Sequence, residues 1–283
     1  MSGTPPVRRR LLGAALRRYR ENLGYGLEDA ARVLDCDRSK ISRIETGQRG
    51  IRAKELRELL DEYGVAEREQ AALTAIAYRG RQRGWWQPYA DIIPDDCQDY
   101  LLMEAAATEI LGYDPHQVPD LLQTPEYASA AAEADPGLRS GEQRARAVDA
   151  KLTRQRTILG ERRPKLDVVL AEGALHQVVG GAGVMRAQLH RLADAAGGTA
   201  GITIQVLPFT AGAHAAAGSG SLTILRFAEA PGLGVICLAA LSGGVCLEGQ
   251  EDVARYVRAF TQLRASSLTP AASARMFREM ARD

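Results

Sequence analysis

Long apolar runs and secretory signals are what this sequence most clearly lacks. No stretch approaches the roughly 20 apolar residues that a membrane-spanning helix needs. Near the start, Arg17, Arg18 and Arg20 interrupt the apolar residues before they reach the length of a secretory core. We therefore expect a cytoplasmic protein that has no membrane partner.

The sequence also has few cysteines, and they are dispersed. The four are Cys36, Cys97, Cys237 and Cys246, with no C-x-x-C spacing and no histidine pair nearby to complete a zinc set. This pattern predicts free thiols in a reducing compartment. We expect no metal site and no cofactor.

Residues typical of a catalytic site are scarce, since the chain has only four histidines. His214 lies in a glycine- and alanine-rich stretch, but the lysine of an H-x-K phosphodiesterase motif is missing. Glu172 ends a predicted strand, and Asp167 precedes it by five residues; the two could form a metal pair, although solvated acids are common at strand ends. We expect that the protein is not an enzyme.

Positive charge is concentrated at the front of the chain. The net charge of +1 hides 18 Arg and Lys against 12 Asp and Glu up to Gly84, and 18 against 23 after it. A basic front part favours a nucleic-acid partner, and 283 residues suffice for about two domains. We place the domains at 8–80 and 99–283, with a junction at 81–98 that contains Trp85 and Trp86.

Apolar residues at helical spacing predict five helices in residues 8–80. The third, in the segment DRSKISRIETG, is the best defined. Asp37 is a good N-cap, Gly47 suits the position after the helix, and Ile41 and Ile44 share the inward face. Together with the short helix LEDAARVL before it, this is an arrangement that can enter a DNA major groove.

The polar residues on and just after the third helix are the predicted DNA contacts. Arginine forks suit guanine edges, serine hydroxyls suit base edges or phosphate, and lysine suits phosphate. We assign Arg38 and Arg43 to guanine and Lys40 to phosphate. The full predicted set is Arg38, Ser39, Lys40, Ser42, Arg43 and Arg49.

The rest of the chain predicts a mixed domain, which makes the fold class α+β, an all-α five-helix front followed by a larger α/β domain with one small sheet. β-branched apolar runs bounded by glycine or proline predict strands, and helical spacing predicts the helices before and between them. The predicted strands are 166–171, 202–208, 221–227 and 233–241, and the predicted helices are 99–113, 124–134, 141–160, 185–196 and 251–263.

Residues 10–65 resemble the Cro and lambda-repressor type, or XRE-like, helix-turn-helix, most clearly in LEDAARVLDCDRSKISRIETGQRG. The resemblance implies that the third helix reads double-stranded DNA, usually from a homodimer on a two-fold-related site. Two residues depart from the family pattern, with Gly26 at the second-helix cap and Glu28 in place of a common glutamine. A carboxylate at position 28 would be repelled by phosphate.

The rest of the chain resembles an uncharacterised domain of antitoxin-like regulators from high-GC bacteria. The resemblance is carried by the segments GWWQPYADIIP, VPDLLQTPEYA and ITIQVLPF. In LGVICLAAL the acidic residue that relatives often carry is absent. The resemblance implies a transcription regulator that also has a small protein partner. Two alternatives stay open: a module that chiefly binds a partner protein, and a regulator with an unknown small-molecule effector in an apolar pocket.

Overall fold

The computed structural model describes residues 5–78, 84–227, 233–240 and 244–282. Its first part is the all-helical region that the sequence predicts, which we call the reader. Its helices are α1 (Val7–Asn22), α2 (Leu27–Val33), α3 (Arg38–Glu45), α4 (Ala53–Glu62) and α5 (Glu67–Tyr78).

The ends of α3 are set by the two residues that the sequence singles out. The Asp37 carboxylate accepts a hydrogen bond of 2.7 Å from the amide of Ser39, which satisfies a first-turn donor. Gly47 follows the C-cap with φ of +72°, a conformation that favours glycine. Ile41 and Ile44 are buried in the core of the reader. The predicted caps and inward face of this helix are confirmed.

The second part is a mixed α/β domain with a single sheet, as predicted, and that sheet has six strands. Its helices are α6 (Asp95–Ala106), α7 (Pro125–Glu133), α8 (Gly141–Gln155), α9 (Gly173–His176), α10 (Ala182–Gly198), α11 (Gln250–Ser266) and α12 (Pro270–Met280). Its strands are β1 (Glu109–Asp114), β2 (Lys165–Ala171), β3 (Ile202–Leu207), β4 (Leu222–Arg226), β5 (Gly234–Leu238) and β6 (Val245–Leu247).

The strand order is β3-β2-β1-β4-β5-β6. The strands β1, β2 and β3 are parallel, and β4 to β6 continue the sheet in antiparallel pairs. One face packs on α6, α7, α10 and α12, and the other on α11. Helices on both faces explain why most strand residues are apolar in continuous runs.

The predicted helix at 99–113 is wrong in its second half. The helix ends at Ala106, and Glu109–Asp114 forms β1 in the middle of the sheet. The four inner residues of β1 are all buried, so the run has no alternation that would distinguish a strand from a buried helix. The sequence analysis also missed β6 and α12.

The junction residues Trp85 and Trp86 lie against the second domain. Trp86 is 5% exposed and Trp85 is half-buried, with the two rings edge to face at 5.8 Å. The hydroxyl of Tyr89 donates to Asp149 on α8, which attaches this segment to the α/β domain. Residues 81–83 of the predicted junction lie outside the described residues.

The four cysteines are free thiols, as predicted, although two that are distant from any cysteine motif in sequence are neighbours in space. Cys237 on β5 and Cys246 on β6 are directly opposite, with their Sγ atoms 2.6 Å apart. The hydrogen bond to Cys246, together with burial, raises the pKa of the Cys237 thiol. A tight antiparallel pairing brings together two positions whose spacing matches no cysteine motif.

The two acids considered as a metal pair have other partners. Asp167 accepts from Arg264 at 3.0 Å, and the Glu172 carboxylate accepts from the Phe209 amide at 2.7 Å. Within the described ranges, no three His, Cys, Asp or Glu side chains are grouped as a metal ion would require. Nor does any helix in those ranges have the length and apolarity needed to cross a membrane.

Candidate nucleic-acid interface

A buried ion pair holds α3 against α1. The Arg20 guanidinium donates to both carboxylate oxygens of Glu45, at 2.7 and 2.9 Å, and to the carbonyl of Tyr25 at 2.7 Å. Arg20 and Glu45 are 6% and 8% exposed. A two-point guanidinium–carboxylate contact fixes orientation as well as distance, so the rotation of α3 about its axis is set by this pair.

Close backbone contact reinforces that position. A Cβ at Gly13 of α1 would lie 2.4 Å from the carbonyl oxygen of Glu45 and 2.6 Å from that of Ile44. These distances leave no room for a side chain, so only glycine permits the two helices to meet this closely. The outer face of α3 is therefore presented from a rigid base.

That outer face carries most of the predicted DNA contacts. Arg38, Ser39 and Arg43 are exposed, and Ser42 is half-buried. Arg43 donates to the carbonyl of Ser39 at 3.1 Å and to its hydroxyl at 3.2 Å. Because both acceptors are neutral, Arg43 can exchange them for a base edge at a small cost.

Arg38 and Lys40 are instead engaged with carboxylates. Arg38 lies 3.0 Å from Glu28, and both side chains are largely exposed. Lys40 pairs with Glu55 of α4 at 2.8 Å, and less than a fifth of each side chain is exposed. The hydrogen bond from Lys40 lowers the pKa of Glu55. A phosphate contact from Lys40 therefore requires that this covered pair be broken.

The sequence analysis missed Arg8 and Arg9, two basic residues that lie beside the predicted contact Arg49. Arg49 is exposed in the loop after α3, and its amide donates to the carbonyl of Arg43 at 2.9 Å. Arg8 and Arg9 from the start of α1 line the same small cavity as Arg49 and Gly50. The run of three arginines at 8–10 was a visible signal, but the packing of α1 was needed to place it here.

The third arginine of that run joins the reader to the second domain. Arg10 donates to the carbonyl of Cys246 at 3.0 Å and pairs with the Glu248 carboxylate. Helix α1 also contacts α6. Local sequence patterns could not predict this contact, because its partners are more than two hundred residues apart in the chain.

Comparison with known proteins identifies both parts of the chain. A family model described as a helix-turn-helix domain matches residues 11–73, which indicates a DNA-binding regulator. No curated protein and no solved structure matches the chain. A second family model, described as a domain of unknown function (DUF5753), matches residues 97–279, more than half of the chain. The protein therefore belongs to the DUF5753 family, with a helix-turn-helix domain at its N-terminus.

Proposed function

We propose that this protein is a sequence-specific transcription regulator of the Cro and lambda-repressor type, with α3 as its reading helix. The observation that carries the proposal is the exposed outer face of α3, on which Arg43 makes its two hydrogen bonds to neutral oxygens of Ser39. The buried Arg20–Glu45 pair supports it, because base readout needs a helix in one fixed orientation.

The contacts divide into base readout and phosphate binding. Arg43, together with Ser39 and Ser42, faces base edges. Arg49, with Arg8 and Arg9 beside it, forms a basic group suited to one or two phosphates. Arg38 reaches a guanine once it leaves Glu28, and Lys40 reaches a phosphate only after it leaves Glu55.

The regulator acts as a homodimer on a two-fold-related operator. One short reading helix contacts too few bases to select a site in a genome, and two copies double the contacts. In this proposal residues 8–80 form the reader, 81–98 the junction, and 99–283 a domain that holds two readers together. The protein is a binding protein and does not catalyse a reaction.

The antitoxin-like role and the small protein partner stay predictions from the family resemblance. A response to a small molecule is favoured by a specific observation, a cavity of about 400 Å³ between the sheet and α6. In that second candidate function, the occupant of the cavity modulates DNA binding.

Selection from a random duplex pool, followed by affinity measurements at several salt concentrations, tests the leading proposal. Arg43→Ala should weaken binding to the selected site by about 1–3 kcal/mol and nonspecific binding much less.

Arg49→Ala should weaken binding to all sequences and lower the salt slope by about one unit. Lys40→Ala should do the same if Lys40 leaves Glu55 in the complex.

The control for charge is Arg186→Ala, which removes an exposed arginine from α10 in the second domain. It should leave the preference for the selected site unchanged. Equal losses on every sequence after Arg43→Ala would refute base readout by Arg43. A wild-type protein that prefers no duplex over random competitor would end the regulator assignment.

A further inference from the structure

A row of small residues forms the floor of the cavity in the second domain. Gly112, Thr223 and Cys237 lie directly opposite one another on β1, β4 and β5, so all three face the same side of the sheet. A Cβ at Gly112 would meet only the Val168 side chain at 3.7 Å and Asp114 at 4.0 Å. The space above this row is about 400 Å³, within the range of small-molecule sites.

The walls come from elements on the helical side of the sheet. Tyr100 and Glu104 of α6 line the cavity, together with Leu121, Leu122 and Arg154. The lining is chiefly apolar, with a few charged groups among apolar side chains. This composition is typical of a site that binds an apolar body and orients it by a small number of polar contacts.

Arg154, an arginine in the wall of the cavity, already has carboxylate partners within the protein. Arg154 donates to both oxygens of Glu104, at 2.7 and 2.6 Å, and to Asp120 at 3.3 Å. Asp120 also pairs with Lys151 at 3.0 Å. The charges of Arg154 and Lys151 are therefore balanced by those of Glu104 and Asp120. The guanidinium of Arg154 is engaged by these carboxylates and is not available to bind an anionic ligand in a two-point contact.

Asp114 also lines the cavity, but it takes no part in the ion pairs of Arg154 and Lys151. It is the last residue of β1, with the neutral hydroxyl of Ser221 as its hydrogen-bond partner. Burial raises the pKa of Asp114 to about 6, so the carboxyl is mostly ionised at neutral pH. In the described part of the chain, no Lys, Arg or His lies within salt-bridge distance of it. Asp114 is half-buried, and withdrawing a carboxylate from water is unfavourable unless a partner compensates its charge.

We propose that this cavity binds a small organic cation, an apolar body with one protonated amine that pairs with Asp114. The charge on the amine compensates the Asp114 carboxylate, which has no salt-bridge partner among the described residues that line the cavity. The apolar body fills the space above Gly112, Thr223 and Cys237. Anionic ligands are disfavoured because the carboxylates of Glu104, Asp114 and Asp120 outnumber the cations around the cavity by one.

The bound cation would contact elements that also hold the reader. Cys246 lines the cavity, and its carbonyl accepts from Arg10 of α1. Helix α6, which forms one wall, contacts α1 as well. Any effect of the cation on DNA affinity rests on the proposed function, whereas its binding to the cavity does not.

Isothermal titration of the full chain with matched probes tests the proposal. The probes are 2-phenylethylamine and tryptamine, each beside the alcohol of the same shape, 2-phenylethanol and tryptophol. At pH 7.5 the better amine should bind about tenfold or more tightly than its alcohol, since a hydrogen bond to a charged group exceeds a neutral one. No DNA is present, so the result is independent of the regulator assignment.

Two variants locate the binding. Asp114→Asn should remove the preference for the amine, whereas the control Asp194→Asn, at an exposed position on α10, should keep it. Gly112→Val should weaken amine and alcohol alike by filling the floor. Melting curves of each variant verify that it is folded.

Three results would overturn the proposal. One is equal binding of amine and alcohol to the wild-type protein. Another is an amine preference that survives Asp114→Asn. The third is the absence of saturable binding by either amine, which would mean that solvent alone compensates Asp114.

Discussion

Two arginines, Arg20 in the reader and Arg154 in the second domain, make the same kind of contact with opposite results. Each donates hydrogen bonds to both carboxylate oxygens of a buried glutamate on another helix. Around Arg20 the helices close completely, because Gly13 brings the backbones of α1 and α3 into contact. Arg154 instead lies in the wall of a cavity that α8 and α6 leave open.

The difference agrees with the roles that we propose for the two domains. In the reader, the ion pair removes freedom from α3, the helix that we propose contacts DNA. In the second domain, the ion pair keeps two helices in place while small residues below them leave space. The same guanidinium–carboxylate chemistry therefore supports a closed surface in one region and an open site in the other.

The largest effects should follow from breaking either ion pair. Arg20→Met and Arg154→Met each leave a covered carboxylate without its partner and should cost about 3–5 kcal/mol of unfolding free energy. Urea denaturation followed by circular dichroism measures the loss. The double variants Arg20→Met with Glu45→Leu, and Arg154→Met with Glu104→Leu, should recover most of it. If the doubles are as unstable as the singles, the unpaired charge is not the cause.

A smaller effect should distinguish the closed contact from an open helix surface. Gly13→Ala should destabilise the protein by about 3 kcal/mol, because the new methyl group collides with backbone oxygens of α3. Gly183→Ala on α10 meets nothing and should stabilise by roughly 0.5 kcal/mol. Thermal unfolding compares the two. Equal changes in stability for Gly13→Ala and Gly183→Ala would show that α1 and α3 are not in close contact.

The smallest effect concerns the charge that the cavity leaves unpaired. Burial, and to a smaller extent the charge of Asp120, raises the pKa of Asp114 from 3.8 to about 6 in the folded protein. The folded state thus binds the proton more tightly, and unfolding free energy falls as pH rises from about 4 to 6. We expect Asp114→Asn to stabilise by about 2 kcal/mol at pH 7.5 and not at pH 4.

Urea titrations of wild type and Asp114→Asn at each pH measure this difference. The Asn variant should lack the decline between pH 4 and 6 that Asp114 causes in the wild type. Two parallel pH profiles would mean that Asp114 is solvated and that the cavity carries no uncompensated charge.

Local pattern predicted the reader well because its main determinants are close in sequence. Asp37, Gly47 and the pair Ile41 and Ile44 all lie within one short segment and act within one helix. Four of the six strands were also predicted, since β-branched runs between glycines and prolines need no tertiary partner to be recognised. β1 was missed because a strand buried on both faces has no alternating pattern.

The sequence by itself determined where the reader lies, how α3 is capped, and which of its side chains face outward, because these follow from backbone hydrogen bonds and helical spacing. Only the tertiary structure decided the rest. It turned Lys40 toward Glu55, brought Cys237 beside Cys246, and set Asp114 at the edge of an open space, where none of the described cations forms a salt bridge with it. The physical reason is that charge pairing and cavities depend on which distant elements meet, and side-chain packing decides that after the local structure has formed.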